Sequence, residues 1–320
     1  MNVIKMQDEN EKKELTLFGR EPNKYFIERI TKGNLEDAYA VNQVFSKNGS
    51  YSDLVDHRSY DDDAYAPTDA GIDVVEDCLI ELPENHHVIK AIYNQTYSVL
   101  ENILKMSYEE IKECVINKEQ RRDGFYSQDS VYQNPITIAF YAAGYFRDYS
   151  ENLFDIFKKA AYHSANEIIS HNTECLRDLG SFQDIAFNER PEHAIVADLT
   201  VAMALASMRT YSKTRKKDVI EFADYLFHKN FLCDCALWPY SRCEPEKALD
   251  KFIELRSEGM RMKDELEYYC ITEISEKTFE KGLCLEKLLD FIKSISNKFM
   301  AKEIEEKVKL LLKQKKKDCQ

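Results

Sequence analysis

Glycine and proline are scarce in this chain, which has nine Gly and seven Pro among 320 residues. Average usage is about 7% for Gly and about 5% for Pro, so the chain has few of the residues that form tight turns. Few tight turns favour long helices. A hydrophobic share of 44% and a charged share of 32% are typical of a soluble globular chain and exclude a disordered one. The sequence has no run of roughly 18 apolar residues, so we expect no membrane span.

Apolar residues recur at three-and-four spacing along most of the chain, which is the period of an amphipathic helix. Ser107 and Glu110 form a capping-box pattern, and Pro135 stands at a first helical position. The helix that begins at Pro191 is apolar on nearly every side, so we expect it at the centre of a bundle. The predicted helices cover residues 88–104, 107–121, 135–146, 150–168, 191–208, 216–230, 246–257 and, if the last one is continuous, 285–317.

These helices predict an all-α fold, built as an array of antiparallel helix pairs. The pairs span about 30 to 40 residues, the size of helical solenoid repeats, and both an irregular helical-repeat and a two-bundle architecture fit. Residues 1–14 have alternating charge and are predicted to be a disordered N-terminus. A polar stretch at 121–134 predicts a linker between an N-terminal helical region, 15–122, and a C-terminal helical domain, 135–320, which ends in a long basic-ended helix.

Negative charge is concentrated in one part of the chain. Between Asp53 and Glu84 there are eleven acids and one base, which gives −10 of the formal net charge of −13. The remaining 46 acids and 43 bases nearly balance. The segment 51–84 contains turn residues at 66–71, so we predict a long acidic loop near the N-terminal third of the chain, with one short strand, Asp73 to Leu82, as an alternative inside it.

An acidic loop of this kind has three candidate uses. It can steer a basic partner protein, bind a hard cation through carboxylate oxygens, or be a solvated loop without a role. Asp61, Asp62 and Asp63 do not match a calcium-binding loop, which needs acids at alternating positions and a glycine at the sixth. Tyrosines among the acids favour a protein-binding surface. The predicted partner-binding residues are Tyr51, Asp53, Asp56, Tyr60, Asp61, Asp62, Asp63, Tyr65 and Asp69.

A weaker alternative is a metal site on a helix. His163, Glu167 and His171 are four residues apart in turn, so on a helix they form one stripe with two imidazoles and a carboxylate. The pattern is not HExxH, and a solvated polar face explains the same residues. An enzyme of this kind would be a metal-dependent hydrolase or transferase on a helical bundle.

The cysteines between residues 233 and 243 are a second candidate metal site. His228, Cys233, Cys235 and Cys243 have the composition of a structural zinc site, but Cys-x-Cys leaves one residue between ligands and no second pair follows. The favoured interpretation is a loop of reduced cysteines with Trp238 packed beside them. Nine cysteines are an odd number, which argues against a disulfide framework and for a cytoplasmic location, in the producing cell or in a host.

No motif for a bound cofactor is present. The sequence has no Walker loop, no G-x-G-x-x-G and no G-x-S-x-G, so we expect no cofactor and lean away from an enzyme. No basic stripe with interleaved aromatic residues is present, which argues against a nucleic-acid partner. The sequence therefore favours a cytoplasmic interaction module, of an immunity or effector-regulator type, that binds a basic partner protein through its acidic face.

Overall fold

The structure is a computed structural model that describes residues 75, 78–80, 82–116, 134–146, 151–172, 176–183, 185–186, 189–281, 285–293, 295 and 297–318. These residues are predominantly helical and include no strand, which confirms the predicted all-α class for this part of the chain. The helices in chain order are α1 (His87–Ile103), α2 (Tyr108–Val115), α3 (Pro135–Tyr145), α4 (Glu151–His171), α5 (Gly180–Gln183), α6 (Glu192–Ala197), α7 (Met203–Met208), α8 (Lys216–His228), α9 (Cys233–Cys243), α10 (Pro245–Ser257), α11 (Asp264–Lys281), α12 (Leu285–Lys293) and α13 (Lys298–Asp318).

The alternative of a strand from Asp73 to Leu82 is wrong for the residues described within it. Val75 and Cys78–Ile80 are helical. Val75, Cys78 and Leu82 are all buried, and their spacing of three and four residues matches one face of a helix rather than alternation along a strand.

Two predicted helix starts are confirmed. The Ser107 side chain accepts from the Glu110 backbone, and the Glu110 carboxylate accepts from the Ser107 backbone N–H at 2.8 Å, which completes the capping box of α2. At α3, Pro135 is the first helical residue and the Asn134 side chain accepts from the Thr137 N–H at 2.8 Å. Both caps satisfy main-chain donors that have no partner within the helix.

The chain divides into two compact units. The first contains Met1–Thr173 and Ala186–Thr210, and the second contains Glu174–Ile185 and Tyr211–Gln320. Of the predicted linker at 121–134, only Asn134 belongs to the described residues. The described helices before it, α1 and α2, pack against α3, which follows it, within the first unit. The predicted disordered N-terminus, 1–14, lies outside the described residues.

In the first unit, α3 packs mainly against α1 and α7. Every residue of α3 from Ile136 to Gly144 is buried. Gly144 permits the close approach of α7, because a Cβ there would lie 3.1 Å from the Cβ of Ser207. Two hydroxyls bridge the elements: Thr137 Oγ1 donates to the Leu199 carbonyl at 2.6 Å, and Thr210 Oγ1 donates to the Gly144 carbonyl at 2.8 Å.

The apolar helix after Pro191 is confirmed as a core element. It runs through α6, a π-helical turn at Asp198–Ala202 and α7, and a 3₁₀ turn at Arg209–Ser212 follows. Among the described helices, this stretch, Glu192–Ser212, is long and apolar enough to cross a membrane, but 72% of its apolar window is buried inside the protein. Such burial is typical of a core helix.

In the second unit, α9 is packed between α8, α10 and α11. The sequence predicted a loop for residues 233–243, and this prediction is wrong. The inner face of α9, with Ala236, Leu237, Tyr240 and Cys243, is buried. Burial against neighbouring helices stabilises α9 in spite of Pro239, which removes one main-chain hydrogen bond.

The sequence left open whether the last helix is continuous from residue 285 to residue 317, and it is not, because α12 ends at Lys293 and α13 begins at Lys298. The Lys298 ammonium donates to the carbonyls of Lys293 and Ile295, at 3.3 and 3.0 Å. It therefore satisfies carbonyls at the end of α12 that a broken helix leaves without a partner.

Candidate functional site

The acidic residues predicted to bind a partner lie outside the described residues. This applies to Tyr51, Asp53, Asp56, Tyr60, Asp61, Asp62, Asp63, Tyr65 and Asp69. Their role stays a prediction from the sequence.

The stripe His163, Glu167 and His171 lies on α4 and packs against the start of α2. His163 Nε2 is 2.7 Å from the Met106 carbonyl oxygen, and the Glu167 carboxylate accepts from the Tyr108 N–H at 2.9 Å. The His171 ring stacks on the Tyr108 ring with centroids 5.1 Å apart. Glu167 thus caps the N-terminus of α2, where a negative charge is favourable. These side chains hold two helices together instead of converging on one point.

The cysteines of α9 are not arranged as a metal site either. Cys233 and Cys243 are buried, Cys235 is half-buried, and His228 is exposed at the end of α8. Burial raises the pKa of the Cys243 thiol to about 12, which disfavours the thiolate that zinc requires. Within the described ranges, no group of three His, Cys, Asp or Glu side chains is placed to hold a metal ion.

An aromatic surface on the second unit was not predicted. It consists of Trp238 on α9, Tyr268 and Tyr269 on α11, and Phe299 on α13. Trp238 stacks on Tyr269 with centroids 5.2 Å apart, and Tyr269 remains 44% exposed. The Tyr268 hydroxyl donates to Glu303 at 3.3 Å, and Phe299, one turn before Glu303, is 82% exposed. Trp and Tyr are the residue types that most often dominate binding energy at protein interfaces.

A half-buried ion pair lies one helical turn beyond the stacked pair. Arg242 Nη1 is 3.2 Å from Glu273 Oε1. Trp238 and Arg242 are four residues apart on α9, and Tyr269 and Glu273 are four residues apart on α11, so two matching faces meet. This spacing is visible in the sequence, but nothing in the sequence pairs α9 with α11.

A buried pair of carboxyl groups is the second feature that sequence reasoning missed. Asp234 lies in the first turn of α9 and is 1% exposed, and Asp178 lies just before α5 and is 7% exposed. The Oδ2 atom of Asp234 accepts from the N–H groups of Leu179 and Gly180, at 2.8 and 3.1 Å. Its Oδ1 atom accepts from the Cys235 N–H at 2.8 Å.

Burial governs the ionisation of Asp234. It raises the pKa of Asp234 from 3.8 to about 7, and the nearby charge of Asp178 acts in the same direction. The hydrogen bonds from Cys235, Gly180 and Leu179 oppose the rise, because they favour the charged carboxylate. Burial therefore disfavours the ionised form of Asp234.

No protein-family model, curated protein or solved structure matches the chain.

Proposed function

We propose that this chain is a protein-interaction module that binds a basic partner protein through its acidic segment 51–84, as an immunity-type protein or an effector regulator would. The observation that carries the proposal is the concentration of charge. Net −10 lies between Asp53 and Glu84 out of −13 for the chain. A local field of this strength accelerates encounter with a basic surface and orients the partner as it approaches.

Tyrosines within the same segment supply the contact area that charge alone lacks. Three tyrosines stand among the acids, namely Tyr51, Tyr60 and Tyr65. Tyr offers a large amphipathic surface with few rotatable bonds. In this proposal the charges set the association rate and specificity, whereas the tyrosines slow dissociation.

In this proposal the helices are packed as an array of antiparallel pairs and form the scaffold that carries the acidic segment. The aromatic surface of the second unit adds residue types that contribute strongly to binding. We place the module in the cytoplasm, of the producing cell or of a host. Cys243 and Cys270 are buried free thiols, as is usual in a reducing compartment.

The alternative function is a metal-dependent hydrolase or transferase. His163 and Glu167 are engaged by the main chain at Met106 and Tyr108, so the described part of the chain offers this alternative no assembled set of ligands. Metal analysis of the purified protein discriminates the two functions. One bound divalent ion per chain would favour the enzyme.

The experiment begins with capture of partners from lysates of the source organism and of its natural host or competitor, at low salt and at about 0.5 M salt, where charge interactions are screened. The retained protein is then purified, and its association rate is measured against the chain and against a variant with Asp61→Asn, Asp62→Asn and Asp63→Asn. We expect the variant to associate about tenfold more slowly at low salt, with a flatter salt dependence and an unchanged melting temperature.

A matched control removes three negative charges elsewhere. Glu101, Glu113 and Glu189 are exposed, so Glu101→Gln, Glu113→Gln and Glu189→Gln together change the net charge equally without touching the acidic segment. We expect this control to associate nearly as fast as the wild type. Equal rates for the acidic-segment variant and the wild type at low salt would refute the proposal.

A further inference from the structure

The chain enters the second unit twice. Residues Glu174–Ile185 belong to the second unit, although Thr173 and Ala186 on either side belong to the first. We call the described part, residues 176–183, the crossover segment. It docks on the second unit through main-chain bonds: the N–H of Leu232 donates to the Leu176 carbonyl at 2.9 Å, and the N–H of Cys233 donates to the Arg177 carbonyl.

Three successive amides of the crossover segment are held by two carboxyl groups. Asp234 accepts from Leu179 and Gly180, and Asp178 Oδ1 accepts from the Ser181 N–H at 3.3 Å. The other oxygen of Asp178 accepts from the Arg261 N–H at 3.3 Å. The segment is therefore held on α9 by an aspartate 54 or 55 positions away in the sequence.

The charges around this pair do not balance when both carboxyls are ionised. Arg177 Nε is 3.6 Å from Asp178 Oδ2, and the same guanidinium donates to the Glu258 carbonyl at 3.1 Å. The titratable groups that face Asp234 are Asp178, on the crossover segment, and the Cys270 thiol on α11, which burial keeps neutral. Arg177 also lies 3.9 Å from the Glu258 carboxylate, and among the described ion pairs no cation is paired with Asp234, so an ionised Asp234 is costly.

The connection between α8 and α9, on which the segment docks, carries backbone strain. Leu232 has a φ of +47° and is fully buried, and Asn230 has a φ of +53°. A bulky residue in the left-handed region costs roughly 1–2 kcal/mol, and this cost persists only while the surrounding contacts hold. The Leu232 N–H donates to the Leu176 carbonyl, so a strained residue is one of the groups that hold the segment.

We propose that the Asp178–Asp234 pair is a proton-controlled latch: with a proton on Asp234 the crossover segment stays docked on α9, and loss of that proton loosens it. A proton on Oδ1 removes the negative charge and weakens the bond from the Cys235 N–H, because a hydroxyl oxygen is a poorer acceptor than a carboxylate oxygen. Oδ2 remains an acceptor for Leu179 and Gly180, so both bonds to the segment persist. Deprotonation places a second negative charge beside Asp178, and opening of the segment lets water solvate that charge.

The test is native-state hydrogen exchange of the purified full chain between about pH 5 and pH 8, followed by mass spectrometry of peptides that cover residues 176–183. Rates are corrected for intrinsic exchange. Because the pKa of Asp234 is about 7 when docked and near its ordinary value when solvated, we expect protection to fall about tenfold per pH unit up to about pH 7 and to level off above it. The measurement needs no partner, so its result tests the latch independently of the proposed function.

Two variants and a control identify the group responsible. Asp234→Asn should give protection that is nearly independent of pH, and Asp178→Asn should move the point where protection levels off to lower pH. Glu246→Gln removes an exposed carboxylate of the same unit and should behave as the wild type does. A flat wild-type profile, or an Asp234→Asn profile with the wild-type slope, would overturn the proposal. If Asp234→Asn does not fold, an unshifted profile for Asp178→Asn overturns it equally.

Discussion

Gly180 is the position where the smallest change in the chain should have a large effect. A Cβ added there would lie 2.5 Å from the Arg261 carbonyl oxygen, 2.7 Å from its carbon and 3.0 Å from the Met262 Cα. All three are main-chain atoms, which cannot rotate away as a side chain can. Contacts shorter than 3.0 Å essentially do not occur for a Cβ, so Gly180→Ala must displace the crossover segment by about 0.5 Å or more.

The magnitude follows from what that displacement disturbs. Overpacking of a well-packed region costs about 1–3 kcal/mol. The Gly180 N–H also donates to buried Asp234 at 3.1 Å, and weakening this bond adds about 1 kcal/mol. We therefore expect Gly180→Ala to lower the free energy of unfolding of the second unit by about 2–4 kcal/mol.

The single Trp of the chain, Trp238, makes this measurable, because it lies in the second unit. Denaturant unfolding followed by Trp fluorescence reports that unit, and the midpoint should fall with the slope unchanged. Gly144→Ala is the control. Its Cβ would meet the Ser207 side chain at 3.1 Å in the first unit, and the gain in helix propensity offsets much of that contact. An unchanged midpoint for Gly180→Ala would refute the close approach of Gly180 to the main chain at Arg261.

Three further predictions concern single side chains. Because the pKa of Asp234 is raised from 3.8 to about 7, the folded state holds this proton more tightly than the unfolded state. The free energy of unfolding should therefore fall by about 4 kcal/mol as pH rises from about 4 to 7. Denaturant titrations at several pH values measure this, and Asp234→Asn should remove the contribution of Asp234 to the pH dependence. Thr96 Oγ1 is fully buried and makes no hydrogen bond to the described residues, so Thr96→Val should raise stability by about 1 kcal/mol, and a lower melting temperature would contradict this. Glu167→Ala should cost about 1–2 kcal/mol by uncapping α2, whereas Glu167→Gln, which keeps an acceptor for the Tyr108 N–H, should lose less in the same thermal melt.

Local patterns predicted local structure well. The Ser107–Glu110 capping box and the helix start at Pro135 depend on residues three or fewer positions apart, so the sequence alone identifies them. The prediction was wrong where packing overrides local preference. Residues 233–243 contain Pro239 and three cysteines, yet they form a helix because three neighbouring helices bury its inner face.

The interactions at the candidate sites depend on contacts between distant residues. The Tyr108 N–H and Glu167 are 59 positions apart, and Trp238 and Tyr269 are 31 apart. Each partner occupies an ordinary position on its own helix, so no local pattern marks the pair. His163, Glu167 and His171 do share a helical stripe as predicted, but their partners on the main chain near α2 were not foreseeable.

The sequence by itself determined the helical class, most helix starts and the concentration of negative charge at residues 53–84, because these depend on composition and on neighbours within a few positions. Only the tertiary structure decided which carboxyl is buried. Asp234 carries no signal in the sequence, and its unusual proton affinity arises from desolvation and from Asp178, 56 positions earlier in the chain. Electrostatic energies depend on distance in space and on exclusion of water, and the fold alone sets both.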